Sequence, residues 1–482
     1  MGAALYPERL IRVHTELLAR SLMGNTHSIN NSSQLSSNMV EQARKAVLEF
    51  FDAPPGYVVV FTSNASAALK LVGESFPFTS SSSYVLSADS HNSVHGIRQY
   101  AADKGSRVAY IPATQEGGFY LCKAKRLIHR NRPLFRNRHP SLFALTAQSN
   151  ISAWKSPLSL LTYATQFGYH TLLDAAALVP TTSFSLTDHP VDAMAVSFYK
   201  MFGYPTGVGA LVAKKSFLEK LERPWFAGGN VEVVQVPGMV VTRASRVEER
   251  FEDGTVNYLV LPAITEGLRL LSSYIPYLPI RLSALLHALV ENLQKITYPN
   301  GAPVLQLLSH LPQRRVRVVG EEADTGFMIS FLYLLPSGDP ISLRFIDFLA
   351  QQHKISLRTG CMCNPGGAAA LLSLQHSMAQ LYPTVRLHDF ERVVGRELGV
   401  VRVSLGLASS YEDVWEIVRF SRRLVNREWR EWWWKKWLDE EITVGGDGVT
   451  LKAPATSAES GRKEEGGLLR KWASMWTVRT RT

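Results

Sequence analysis

Between about Asn38 and Phe51 apolar residues recur at helical spacing in MVEQARKAVLEFF, and Pro54-Pro55-Gly56 then ends the helix they predict. The run YVVVFT that follows is short, β-branched and bounded by turn residues, so it reads as a strand, and SNASAALKLVGESF after it returns to helical periodicity. Further short apolar runs, YVLSAD, RVAYIPA, LFALTA, HTLLDAAALV and VDAMAVSF, alternate with polar or helical stretches up to residue 200. Alternation of this kind predicts a mostly parallel sheet covered by helices.

From Leu261 to about Ile296 the chain is rich in Leu, Ala and Glu and is expected to be helical, leading into a second unit. That unit begins near Val316, with VRVVG, FMISFLYLL, ISLRTG and VVRVSLG as strands and ISLRFIDFLAQQ and YEDVWEIVRFSRRLV as helices. The expected architecture is α/β: a helical segment over 1–23, a large domain over 24–300 and a smaller α/β domain over 301–437. A low-complexity tail rich in Gly, Ser, Ala, Lys and Glu, expected to be disordered, covers 438–482.

Composition narrows the class. The 482 residues, 46% of them hydrophobic, supply a core for two or three domains, and the net charge of +11 reads as scattered surface charge rather than as a nucleic-acid footprint. Three cysteines, Cys122, Cys361 and Cys363, give no basis for a disulfide framework and suit a reducing, cytoplasmic setting. Charges at Glu8, Arg9 and Arg12 argue against a secretory leader, Tyr6 stands where a myristoylation motif wants Ser or Thr, and no apolar run is long enough to span a bilayer. The expectation is a soluble enzyme.

The strongest chemical feature is SFYKMFGYPTGVGALV, where an apolar strand ends in Ser197, Phe198, Tyr199 and Lys200. A lysine there can form a Schiff base with a carbonyl cofactor if burial frees its lone pair, although taken alone a solvated strand-end lysine is the commoner case. Asp174 lies 26 residues earlier at the end of TLLDAAALV, as expected of an acid at the carboxyl edge of a parallel strand, or simply of an N-cap. Placed against a pyridinium nitrogen it would keep the ring protonated as an electron sink. TSNASAALK offers backbone N–H groups at a helix start, which favour a phosphate as they would favour any cap. His91, in SADSHNSVHG, could stack on a cofactor ring or be an ordinary surface histidine.

The glycine-flanked loop SLRTGCMCNPGG holds Cys361 and Cys363 near Arg358, whose charge favours thiolate, and its glycines leave it free to move. Two cysteines one residue apart lack the further ligands that zinc requires, so no metal is expected. Arg402, in VVRVSLG, could grip a carboxylate through two parallel hydrogen bonds, or lie on a surface strand.

In one order along residues 24–420, the motifs GNTHS, FTSNASAALKLVGESFPF, DSHNSV, AQSN, LLDAAALVPT, SFYKMFGYPTGVGAL, FEDGTVNYL, RTGCMCNP and RVSLG resemble class V aminotransferases among the pyridoxal phosphate enzymes. The resemblance is closest to the cysteine desulfurase-like domain of molybdenum cofactor sulfurases. It implies fold type I, pyridoxal 5′-phosphate on Lys200, Asp174 on the pyridine nitrogen and His91 stacked on the ring. It further implies phosphate contacts from Asn64, Ala65, Ser66, Ser197 and Tyr199, and a homodimer in which Thr255 reaches the phosphate bound to the other subunit. Arg358 and Arg402 would flank the substrate carboxylate, and alignment with the R-T-G-H-H-C form of the loop puts the sulfur acceptor at Cys363. The implied reaction is cysteine desulfuration to alanine with a persulfide on the enzyme.

Ala177 stands where many desulfurases have a Gln that bonds the ring oxygen, so Gln148 or Asn150 is expected to serve instead. Ala368 stands where a further cysteine is often found, and AGGNV at 227–231 replaces the commoner glycine-glycine-glycine-threonine. The acceptor of the sulfur is open, the molybdenum cofactor being one candidate. Two other functions are compatible with the same residues: a stand-alone C–S lyase or decarboxylase acting on another amino acid, and an inactive scaffold. REWREWWWKKWLDE carries Trp429, Trp432, Trp433, Trp434 and Trp437; Trp429, Trp432, Trp433 and Trp437 fall near one helical face, which suits packing on the small domain, while Lys435 and Lys436 suit docking on a partner or an anionic membrane.

Overall fold

The computed structural model describes residues 4–133 and 139–444, with side chains as far as residue 440. The chain up to Trp433 forms one compact unit, and the segment from Trp434 a second. After α1 (Glu8–Arg20) and α2 (Asn31–Phe50), strand and helix alternate: β1 (Tyr57–Thr62), α3 (Ala65–Ser75), β2 (Ser83–Ser87), α4 (Asn92–Asp103), β3 (Arg107–Ile111), α5 (Leu121–Arg130) and β4 (Leu142–Thr146). The alternation continues through α6 (Ser159–Gln166), β5 (His170–Asp174), β6 (Ala193–Ser197), α7 (Phe198–Phe202), β7 (Gly209–Lys214) and α8 (Lys215–Leu218). A hairpin of β8 (Val231–Val234) and β9 (Val241–Arg243) precedes α9 (Pro262–Tyr274) and α10 (Leu278–Gln294).

The seven-stranded sheet has the order β1-β7-β6-β5-β4-β2-β3. Strands β3, β2, β4, β5 and β6 run parallel, while β7 pairs antiparallel with both β6 and β1. Leu86, Ala144, Leu172 and Ala195 join α3 and α4 in one core, and the alternate residues Val85, Phe143, Leu173 and Met194 are buried as well. Both faces are therefore covered, which is why these strands read as continuous apolar runs.

The second sheet is antiparallel, in the order β10-β11-β13-β12, from β10 (Leu305–Leu307), β11 (Met328–Tyr333), β12 (Arg358–Gly360) and β13 (Val400–Ser404). Interleaved and following are α11 (Leu343–Gln352), α12 (Pro365–Leu371), α13 (Gln375–Met378), α14 (Leu387–Val394), α15 (Tyr411–Arg423) and α16 (Arg427–Val444).

Three local expectations are corrected. VRVVG is not a strand: the N–H of Val316 donates to Ser283 Oγ at 2.9 Å, Val318 and Val319 are 65% and 51% exposed, and Gly320 turns the chain at φ +86°. The sheet edge that it would have taken belongs to β10, a segment too short to stand out by periodicity. The helix expected over 261–296 is two helices, because Pro276 and Pro279 break the hydrogen-bond ladder between α9 and α10. Helix continues past Trp437 to Val444, through Asp and Glu residues that tolerate it; the rest of the expected tail lies outside the described residues. Of the tryptophans, Trp429 stacks on His353 with ring centroids 5.5 Å apart and Trp433 meets Phe348 edge-on at 6.0 Å, so these two pack on the unit that ends at Trp433. Trp432 is 60% exposed. No helix of the described residues is long and apolar enough to cross a membrane.

One buried ion pair ties the segment FEDGT to the sheet. Arg44 of α2 meets Glu252 at 2.8 Å, and Glu252 Oε1 also accepts the N–H of Phe61 on β1 at 2.9 Å. Removing one partner strands the other charge out of water. Arg44→Ala is therefore expected to lose about 3–5 kcal/mol of stability in a denaturant titration; a loss under about 1 kcal/mol would show that water reaches Glu252.

Candidate active site

The candidate residues gather where the parallel strands end. His91 follows β2, Gln148 and Asn150 follow β4, Asp174 closes β5, and Ser197 closes β6 with Lys200 just beyond it. Crevices at the carboxyl ends of parallel strands are where α/β folds bind ligands. A cavity of about 770 Å³ opens there, and its wall includes His91, Gln148, Asn150, Tyr199, Lys200, Arg358, Cys363 and Arg402.

Lys200 sits on α7, a single turn whose Phe198, Met201 and Phe202 are buried, and Tyr199, Lys200 and Met201 line the cavity. Gly203 ends the turn at φ +81°, a conformation that suits glycine. Burial lowers the pKa of the Lys200 amine; Asp174 and Cys363 oppose that shift, while Arg402 and Arg358 reinforce it. His91 caps α4, its Nδ1 accepting the N–H of Ser93 at 3.1 Å, which assigns the neutral-ring proton to Nε2. Burial lowers its pKa, with Asp174 opposing. Asp174 is buried and accepts the N–H of Ala176 at 3.1 Å.

Asn64, Ala65, Ser66 and Ser197 meet at the amino end of α3. Asn64 caps the helix by accepting the N–H of Ala67 at 2.9 Å, and the N–H of Ala65 donates to Ser197 Oγ at 2.8 Å. Ser66 and Ser93 share a hydroxyl–hydroxyl bond of 2.6 Å, which joins the starts of α3 and α4. A Cβ on Gly209 would lie 2.6 Å from the Asn64 backbone, so only glycine lets β7 pass this close. Thr255 is exposed and is not in the cavity wall, so the single chain does not bring it to the other candidates.

Gln148 stands beside Ala177, its Nε2 donating to the Ala177 carbonyl at 3.0 Å. Its Oε1 is buried without a hydrogen-bond partner. A buried acceptor without a donor is costly and points to a missing ligand group.

Arg358 and Arg402 are directly opposed on β12 and β13. Like charges so placed repel across a sheet, and an anion between them would relieve the strain. Arg402 is 5% exposed and donates to the carbonyl of Asn150 at 2.6 Å. Burial and then Arg358 push its pKa down to about 10.

The cysteine loop departs from the expected freedom. The N–H of Asn364 donates to the Cys361 carbonyl at 2.9 Å, closing a turn in which Met362 and Cys363 both have φ +56°. Left-handed backbone costs a side-chain-bearing residue about 1–2 kcal/mol, so this turn persists because its surroundings hold it. Asn150 Nδ2 donates to the Met362 carbonyl at 2.7 Å, and the N–H of Asn92 donates to the Cys363 carbonyl at 2.7 Å. Cys363 faces the cavity, whereas Cys361 is not in its wall. The anchoring Asn364 was missed in the sequence, where Asn-Pro reads as an ordinary turn; as an N-cap followed by Pro at the first helical position, it carried a signal of helix start.

The chain belongs to the aminotransferase class-V family, whose model matches residues 1–417. Its fold is that of fold type I enzymes. A cysteine desulfurase from Thermococcus onnurineus NA1 superposes with a TM-score of 0.69 at 22% identity, covering 88% of this chain and 92% of the other. One from Escherichia coli superposes at 0.66 and 20% identity, covering 87% and 92%. More similar in sequence are proteins named molybdenum cofactor sulfurase. That of Arabidopsis thaliana is 32% identical over 87% of this chain and 55% of its own length, and that of Bos taurus 33% over 87% and 49%. That of Homo sapiens is 32% identical over 95% of this chain and 51% of its own. The chain thus spans about half the length of these relatives.

The lowered pKa of Lys200 fixes a pH dependence of stability. The unfolded chain holds the lysine proton up to the ordinary value of 10.5, whereas the folded chain releases it earlier, so cofactor-free protein gains stability as pH rises between the two. Lys200→Met removes this contribution. The mutant is expected to exceed the wild type in stability most at neutral pH, by a margin that shrinks toward pH 10.5 in denaturant titrations at several pH values; a margin independent of pH would mean that the amine is fully hydrated.

Proposed function

We propose that this chain is a pyridoxal phosphate-dependent cysteine desulfurase that takes sulfur from L-cysteine onto Cys363 and releases L-alanine. The observation that carries the reading is one cavity walled by a lysine whose ammonium form is disfavoured, a cysteine and a buried arginine. The residues fit the cofactor: Lys200 for its carbonyl, Asp174 for its ring nitrogen, His91 for its ring face, and the amino end of α3 with Ser197 and Tyr199 for its phosphate. Gln148, with its orphaned Oε1, and Asn150 fit the polar substituent of the ring. When bound, the group supplies an electron sink for charge that develops at the substrate α-carbon.

Arg402 and Arg358 grip the substrate carboxylate and so fix which bond at the α-carbon faces Lys200. Lys200, released when the substrate amine takes its place, receives the α-proton on Nζ. The Cys363 thiolate attacks the substrate sulfur, the bond from that sulfur to the β-carbon breaks with its electron pair going to carbon, and the sulfur remains on Cys363. In this reading residues 24–300 hold the cofactor, and 301–437 carry the cysteine loop. A second copy would bring its Thr255 to the phosphate and cover Val236 and Met239, which are 84% and 93% exposed on the β8–β9 hairpin. We take the cytoplasm as the compartment and the molybdenum cofactor as the first sulfur acceptor to test, since the relatives are named for it.

Lys200→Ala should abolish the visible absorbance of lysine-bound cofactor, and its retention would disprove the anchor. Cys363→Ala should keep that absorbance while alanine formation falls about 100-fold or more; wild-type turnover in this variant would remove the thiol from the reaction. Arg402→Lys forfeits the two-pronged grip and should raise KM for cysteine roughly tenfold with a smaller change in kcat. An unchanged KM would place the carboxylate elsewhere.

A further inference from the structure

One buried carboxylate beside the site takes no part in the proposed chemistry. Asp89, 4% exposed, follows β2 two residues before His91 and accepts four hydrogen bonds. Its Oδ1 takes the Ser149 hydroxyl at 2.6 Å and Asn364 Nδ2 at 2.7 Å. Its Oδ2 takes the Gly118 N–H at 3.0 Å and the Ser152 hydroxyl at 3.0 Å. Asn364, fully buried, passes the restraint on. Its Oδ1 accepts the N–H of Gly367 at 2.9 Å to cap α12, and its Nδ2 also reaches Asn150 Oδ1 at 3.1 Å.

Asn150 in turn holds two things at once. Its side chain grips the carbonyl of Met362, inside the cysteine turn, and its backbone carbonyl receives Arg402. The fit leaves no slack: a Cβ on Gly366 would lie 2.1 Å from the Ala88 carbonyl, and one on Gly367 2.6 Å from Asp89 Oδ1.

We propose that Asp89 is a positioning residue that, through Asn364 and Asn150, holds the Cys363 turn and Arg402 in fixed register with each other. This rests on the reading that the thiol and the guanidinium act on opposite ends of one substrate. The carboxylate suits the task because each of its partners donates. An amide at position 89 would aim an N–H at either the Gly118 N–H, which cannot accept, or Asn364 Nδ2, which could present its oxygen only by flipping and losing the bond from the Gly367 N–H. The two left-handed residues of the turn then have a reason to relax, and Cys363 leaves the cavity wall.

The test uses full-length protein carrying its cofactor, with Asp89→Asn and Asn364→Ala as variants. Tyr57→Phe serves as a control for lost stability, since it removes a buried hydrogen bond of 2.7 Å to the Val191 carbonyl at the far end of β1. Iodoacetamide labelling of Cys363 is followed by peptide mass spectrometry, and KM and kcat for cysteine are measured beside it. Both site variants should keep the visible absorbance of bound cofactor, label Cys363 about tenfold faster or more, and raise KM, while the control does none of these. Labelling at the wild-type rate in both variants, or equal acceleration in the control, overturns the proposal. Should Asp89→Asn not accumulate as folded protein, Asn364→Ala decides alone. Labelling needs no substrate, so a wild type inert toward cysteine would sink the desulfurase reading and leave the role of Asp89 in holding the turn still measurable.

Discussion

The site depends on keeping the amine of Lys200 out of water. An ammonium group there lacks the hydration that stabilises it in solution, and two arginines nearby add repulsion, so the pKa of the amine falls below its ordinary value and the lone pair is easier to free. Asp174 works against this but does not prevail. The fold delivers that balance cheaply. β5 and β6 lie side by side and parallel, so the acid that ends one and the lysine just beyond the other come to the same end of the sheet, where Lys200 lines the cavity and Asp174 is buried. Phe198 and Phe202 of α7 are buried outside the cavity wall, while Lys200 lines it.

A second constraint lies in the cysteine turn. Nothing local favours two successive left-handed residues with side chains. Their conformation is imposed by hydrogen bonds that arrive from α4, from the loop after β4 and from the cap of α12. A loop that looked free by its glycines is thus held by asparagines. Its glycines instead let backbone and carboxylate pass within contact distance. Strain of this kind is an expense that folds retain where a side chain has to be aimed, and Cys363, not Cys361, is the one aimed at the cavity.

The strands of the large sheet were legible because both their faces are buried, so each reads as an uninterrupted apolar run between turns. The antiparallel intrusion of β7 was not, since direction within a sheet leaves no trace in periodicity. VRVVG misled for a related reason: it has strand-forming residues, but strands need an open neighbour, and β10 had taken that edge. Pro276 and Pro279 mark the break between α9 and α10 within a stretch whose Leu-, Ala- and Glu-rich composition reads as one helix. In the site, Lys200, His91, Gln148, Arg402 and Cys363 were found in sequence and do share one cavity. Asp89 and Asn364 were not singled out, because their importance lies in hydrogen bonds between residues 275 positions apart, which no local pattern encodes.

The claim on which all else turns is that sulfur leaves the substrate by attack of the loop thiol. The most direct measurement is mass spectrometry of the Cys361–Cys363 peptide after a single brief exposure of the cofactor-loaded protein to L-cysteine, with the released amino acid quantified alongside. The account predicts one added sulfur on Cys363 and an equal amount of alanine. Pyruvate and ammonia with an unmodified Cys363, or alanine with no sulfur retained on that residue, would contradict it.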